Sequence, residues 1–150
     1  MKKEFLAKTP AIAELRAAIE NTLVAQKGYR GEIKKWKRKY LKGLDGRPLH
    51  VRSLHSALNL LLQSAGALVC KKWVCLWEKN MIKAGYEHGK DFQFMCWCHD
   101  EEQVACRTLK IAEDAVRIAQ ESMREAQQYF GFRVQLDTEG KIGKNWADCH

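Results

Sequence analysis

The stretch from about Ser53 to Ala84 sets the terms for everything else in this chain. Leu54, Leu58, Leu61, Ala65, Leu68, Val69, Trp73 and Leu76 recur through it at helical spacing and spread apolar surface over much of the circumference. A helix of that kind is expected to be central and buried, with the remaining elements packed around it. Its longest apolar run, Ala57 to Cys70, is interrupted by Asn59 and Gln63 and falls short of the ~20 residues that a bilayer crossing needs, so no membrane partner is expected.

Around this helix the sequence punctuates itself. Thr9-Pro10 offers an N-cap and a proline at the first helical position, and Ile12, Leu15, Ile19 and Leu23 then form one apolar stripe of a helix ending near Gly28. Met1 to Lys8 is helix-compatible but uncapped, as if the chain were entered part-way through a helix. Ile33 to Tyr40 and Leu49 to Arg52 flank Gly43-Leu44-Asp45-Gly46, where Asp-Gly is turn chemistry for a β-hairpin. Phe92 to Cys98 and Gln103 to Cys106 read as a second strand pair. Ile111, Ala115, Ile118, Ser122 and Ala126 mark one face of a helix from about Thr108 to Phe130. Phe132 to Leu136 reads as a last strand before an irregular tail with Gly140, Gly143 and Trp146. The order αββαββαβ predicts an α+β fold with a mainly antiparallel sheet, in one segment spanning residues 1–150.

With 46% hydrophobic residues there is material for a real core, and the formal charge of +8 favours a polyanionic partner. Glu4, Lys8, Glu14 and Arg16 interrupt the start, which excludes a secretory signal and predicts a cytoplasmic protein. The six cysteines have no paired CxxC spacing and read as reduced, mostly buried thiols. Cys96-Trp97-Cys98-His99 is a poor zinc pattern, because a strand turns alternate residues to opposite faces.

Three groups could carry chemistry. His55, Asn59 and Gln63 stand four apart on the long helix and form one polar stripe. Such amides either bond to neighbouring loops and backbone, or donate to the N3 and O2 acceptors that every base pair shows in the minor groove. Lys34, Lys35, Lys37, Arg38 and Lys39 around Trp36 and Tyr40 are either a solvated face or phosphate contacts. His99-Asp100-Glu101 falls at the tip of the second hairpin, where the acids either face water or bind Mg²⁺, a hard cation that takes one or two carboxylates.

Leu44-Asp45-Gly46-Arg47, Asn59-x3-Gln63 followed by Ser64-Ala65-Gly66-Ala67, then His99-Asp100-Glu101, then Gly140-Lys141-Ile142-Gly143-Lys144-Asn145-Trp146 resemble, in order, the landmarks of family A (Pol I-like) DNA polymerases. The resemblance is to the T-odd podophage type, extends back through Thr9-Pro10-Ala11-Ile12-Ala13, and covers nearly the whole chain. It implies the C-terminal palm segment of a right-hand fold with adjoining fingers-base helices, acting in DNA replication in an infected bacterial host. It further implies primer-template DNA and a deoxynucleoside triphosphate as partners, and Mg²⁺ as cofactor. By the same resemblance Asp100 is the metal ligand, Glu101 supports it as the second catalytic carboxylate, and His99 lies against the primer terminus. His55, Asn59, Gln63, Arg47, Lys37 and Arg38 are implied to contact DNA.

Two departures stand out. Glu102 occupies a position usually apolar after the motif, and Cys98 replaces a commoner aliphatic residue. Arg30-x3-Lys34-x5-Tyr40 imitates a nucleotide-binding fingers helix but has the wrong last spacing and order, and is rejected. Neither that helix nor the second metal-bridging aspartate of the family is found in these residues. The expectation is therefore a nucleotidyltransferase piece, a split subunit or part of a longer chain, inactive until an upstream polymerase segment completes it. The alternative is a non-catalytic DNA-binding remnant.

Overall fold

The computed structural model describes residues 9–149. Met1 to Lys8, with its expected helical character, and His150 lie outside the described residues. The chain divides into two compact units, Met1–Leu68 and Val69–His150.

In the first unit Pro10–Leu23 forms helix α1, with Pro10 at its start as the Thr9-Pro10 pair predicts, although the Thr9 side chain caps no helix amide. The helix stops at Leu23, not near Gly28, because Val24 turns extended and Val24–Lys27 pairs as strand β1 with β2, Ile33–Trp36. Gly31, at φ 83°, makes the reversal between them. Tyr40–Lys42 (β3) and Pro48–His50 (β4) form a second antiparallel pair closed by the Gly43–Arg47 loop, where Gly46 takes φ 86°. The expected pairing of Ile33 to Tyr40 with Leu49 to Arg52 is thus replaced by two shorter ladders. Once β1 exists, β2 has a partner of its own, and only Tyr40 onward remains for β4. The core joins Ile19, Leu23, Leu41, Val51 and Ala57.

The long helix, α2, runs Leu54–Lys83. By length and composition alone it meets the threshold for a membrane-crossing helix. Its later part, however, is committed to protein: Val69, Trp73, Trp77 and Met81, spaced by four, share the core of the second unit with Phe92 and the buried face of helix α3, Leu109–Phe130. The expectation of a central, buried helix is corrected: Ala57, Val69, Trp73, Trp77 and Met81 are buried, but other apolar positions are open and Leu62 is 57% exposed.

Strands β5 (Phe92–Cys98) and β6 (Glu101–Cys106) pair antiparallel, with a bulge at Met95 where the register shifts between Phe94 and Cys96. Thr108 caps α3 through its hydroxyl, which accepts from the Ile111 amide, and Gly131 ends it in the left-handed conformation. Ile111, Ala115, Ile118, Ser122 and Ala126 are all buried, as their spacing predicts. Phe132 to Leu136 is not a strand. The Leu136 amide donates to the Gln127 side chain of α3 at 2.8 Å, so the segment lies along a helix and has no strand edge to join. A short helix, α4 (Trp146–Cys149), closes the tail.

The fold is α+β with antiparallel pairing, but among the described residues the strands form three separate two-stranded ladders, not one sheet. The cysteines are free, as expected, yet none of the six is fully buried, and Cys75, Cys96 and Cys98 are exposed.

Candidate metal and nucleic-acid sites

His99-Asp100-Glu101 sits at the apex of the β5–β6 hairpin. Its root is fixed in the core: Phe92 is 2% exposed, and Phe94 meets the Trp77 ring edge to face at 5.3 Å. Beyond the Met95 bulge the strand leaves the core, and residues 95–100 are all exposed. Cys98 and Glu101 are cross-strand partners, so β6 begins two residues earlier than the sequence suggests, and the turn consists of His99 and Asp100 alone.

That turn is tightly specified. His99 has φ 57°, the one non-glycine residue with positive φ among those described. Its carbonyl accepts a hydrogen bond from the Trp97 indole at 2.6 Å. Glu101 accepts from the Gln103 side chain, which fixes one carboxylate oxygen. The exposed Asp100 carboxylate faces α2 closely enough that its charge, after burial, helps push the Cys70 thiol pKa up. Glu102, opposite Trp97 on the neighbouring strand, is half-buried, and burial raises its carboxyl pKa.

Among the described residues no three His, Cys, Asp or Glu side chains converge as a metal-binding group. The hairpin offers one exposed carboxylate, Asp100, and one restrained neighbour, Glu101. That donor set fits Mg²⁺, which binds through one or two carboxylates and keeps waters or substrate oxygens for its other positions.

In the first unit His55, Asn59 and Gln63 lie exposed along α2, and none of their side chains makes a hydrogen bond to a described residue. Among the described residues these side chains bond to no neighbouring loop. His55 also borders a cleft of about 420 Å³ together with Arg16, Glu20, Glu32, Ile33 and Leu58.

Lys37 and Arg38 follow β2, where their amides donate to the Leu23 carbonyl at 2.8 and 3.3 Å. The backbone is thereby tied inward and both side chains are exposed. Arg47 differs from these two, because its guanidinium is ion-paired with Asp45 inside the Gly43–Arg47 loop. That contact, with the Arg47 amide, holds the Asp45 carboxyl below the ordinary carboxylate range against the opposing effect of desolvation, which is the largest contribution. Arg30, Lys34 and Tyr40, the imitation of a nucleotide-binding helix, fall on a loop and two different strands.

Sequence reasoning missed Trp97, Gln103 and Cys70. Trp97 and Gln103 act locally, each on the residue two positions nearer the turn, while Cys70 lies on α2 and only feels the Asp100 charge, which no local spacing announces.

Comparison with known proteins shows the family. The family model for DNA polymerase family A matches residues 1–148. The DNA-directed DNA polymerases of Enterobacteria phage T3 and Escherichia phage T7 are each 54% identical to the chain over all of its length. DNA polymerase I of Aquifex aeolicus is 30% identical over 69% of the chain. This chain belongs to DNA polymerase family A. It spans 22% of the length of the two phage relatives.

Proposed function

We propose that this chain is the C-terminal palm part, with adjoining fingers-base helices, of a DNA-directed DNA polymerase that replicates phage DNA in the bacterial cytoplasm. The observation that carries the proposal is Asp100: an exposed carboxylate on a two-residue turn whose strands are rooted in an aromatic core. Loops hold carboxylates loosely, whereas a core-anchored hairpin fixes this oxygen without sequestering it.

Asp100 is the residue that would hold Mg²⁺, with Glu101 restrained beside it by Gln103. When bound, two such ions would supply charge neutralisation at the attacking and leaving oxygens of an in-line phosphoryl displacement. His99, displayed on the same turn, would meet the primer terminus. Asn59 and Gln63 donate amide protons to acceptors common to all base pairs, which tests pair geometry without reading sequence. Lys37 and Arg38 neutralise phosphates, while Arg47 first has to leave Asp45. One carboxylate pair cannot bracket two metals, so an upstream polymerase segment, in the same chain or in trans, completes the site and grips the deoxynucleoside triphosphate.

Primer extension tests this. The chain alone with Mg²⁺ is expected to be inactive, a mixture with a separately expressed upstream polymerase segment active, and the same mixture with Asp100→Ala inactive. Extension that survives Asp100→Ala refutes the assignment. A second reading, a DNA-binding protein without catalysis, is favoured by the unpartnered amide stripe and the exposed cations. Under it no mixture extends a primer, yet duplex binding persists unchanged in Asp100→Ala.

A further inference from the structure

The β3–β4 hairpin has an outward face that neither the amide stripe nor the His-Asp-Glu turn uses. Strand alternation buries Leu41 and half-buries Leu49, which turns Tyr40, Lys42, Pro48 and His50 to the exposed side. Tyr40 and His50 are cross-strand partners, and their rings meet edge to face at 5.2 Å and 61°. Tyr40 is 53% exposed. An edge-to-face contact leaves each ring at least one open face, so the pair is braced but not covered.

The surroundings are strongly cationic. Residues 34–52 contain eight Lys and Arg against a single acid, Asp45, and that acid is taken by Arg47. The other seven cations form no ion pair with a described residue. Lys39 adjoins Tyr40, Lys42 lies on the same strand face, and Arg52 follows the His50 strand. The Lys39 carbonyl accepts from the Val51 amide at 2.8 Å, which fixes the two chain ends side by side.

We infer that the Tyr40–His50 pair is a stacking platform for an unpaired base of single-stranded DNA, with Lys39, Lys42 and Arg52 contacting the flanking phosphates. The inference rests on the polymerase reading and deepens it. A duplex keeps its bases stacked on one another and presents only edges and phosphates, so it has no face to offer these rings. An acidic peptide would match the cations but leave the aromatic faces unused. A single strand satisfies both, through sequence-tolerant stacking and backbone neutralisation.

The test is fluorescence anisotropy of the full chain with a labelled oligo(dT) and with a duplex of equal length, each across a salt series. Tyr40→Leu is expected to weaken oligo(dT) binding by about 5- to 150-fold, the worth of one stacked base. It should leave duplex affinity and the salt slope unchanged. Tyr40→Phe, which keeps the ring, retains the wild-type affinity, and His50→Ala, which removes the brace, gives an intermediate loss. Lys42→Ala lowers the slope for the single strand by about 0.7. Equal oligo(dT) binding by wild type and Tyr40→Leu overturns the platform while intact duplex binding leaves the polymerase reading standing. Equal losses in Tyr40→Phe and Tyr40→Leu also overturn it. Binding of neither probe by the wild type would refute both.

Discussion

Trp73 and Trp77 are one turn apart on the same helix stripe, stacked at 5.3 Å and 17°, and 5% and 6% exposed. Burial alone assigns them equal worth. Their indole protons are not equal: Trp73 donates to the Ala119 carbonyl on α3 at 2.8 Å, while Trp77 Nε1 is buried with no acceptor among the described residues. Trimming either indole to phenyl loses buried apolar surface and leaves a small void, together about 1–2 kcal/mol. Trp73→Phe also loses a hydrogen bond worth about 1 kcal/mol net, for a total of about 2–3 kcal/mol. Trp77→Phe instead removes an unsatisfied donor whose burial costs about 1–3 kcal/mol, so its losses are offset and the net change falls near zero. The expected gap between the two variants is about 2–3 kcal/mol. Urea unfolding followed by far-ultraviolet circular dichroism measures it without relying on the tryptophans being changed. If Trp77→Phe is as costly as Trp73→Phe, hydrogen-bond status does not distinguish these side chains and the reasoning fails.

His99→Gly should relieve about 1–2 kcal/mol of left-handed strain against about 0.5–1 kcal/mol of extra unfolded-state entropy, a net gain of roughly 0.5–1 kcal/mol by denaturant titration. In primer extension with the upstream segment the same variant should lose activity. The Tyr86 hydroxyl donates to Asp114 at 2.6 Å, which holds the Asp114 carboxyl below the ordinary range and, with burial, holds the Tyr86 phenol above its own. The Asp114 contribution is lost as pH falls below about 3.9 and through the depressed value, and the Tyr86 contribution as pH rises past about 10 and through the raised one. Thermal unfolding across pH should show both losses, and Asp114→Asn should flatten both flanks. A Cβ at Gly140 would come within 2.6 Å of both γ-carbons of Val116, so Gly140→Ala should loosen the tail and speed exchange of the Leu136 amide. Val116→Ala in the same chain should reverse that effect, and exchange unchanged by Gly140→Ala would show that the tail does not press on α3.

Legibility in the sequence depended on whether an element's information was local. The α3 face was legible because Ile111, Ala115 and Ile118 repeat at the helix period and Thr108 caps the helix that carries them. The amide stripe was legible for the same reason. Strand β1 was not: Val24 to Lys27 continues a helical pattern, and only its partner Ile33–Trp36, beyond a reversal at Gly31, makes it extended. Phe132 to Leu136 failed in the opposite sense, having strand composition without a neighbouring edge, so Gln127 captured its backbone instead. Helix α2 read as central and buried because apolarity was visible and the number of elements available to cover it was not.

The turn at the candidate metal site shows where local rules and function part company. A two-residue hairpin loop is most easily made with glycine or asparagine at its positive-φ position, since those residues occupy the left-handed region at least cost. This chain places histidine there, at φ 57°, next to an aspartate, and reinforces the turn with the Trp97 indole on the His99 carbonyl. An imidazole adds nothing to the closure of the turn, and both it and Asp100 are exposed, so packing compensates neither. Strain of this kind persists only where the surroundings hold it, and Cys98–Glu101 pairing, Gln103 on Glu101 and the rooted Phe94 do so here. The residue that strains the hairpin, His99, is thus one the polymerase reading needs at the DNA terminus, whereas a remnant kept only for its cations would have no use for the strain.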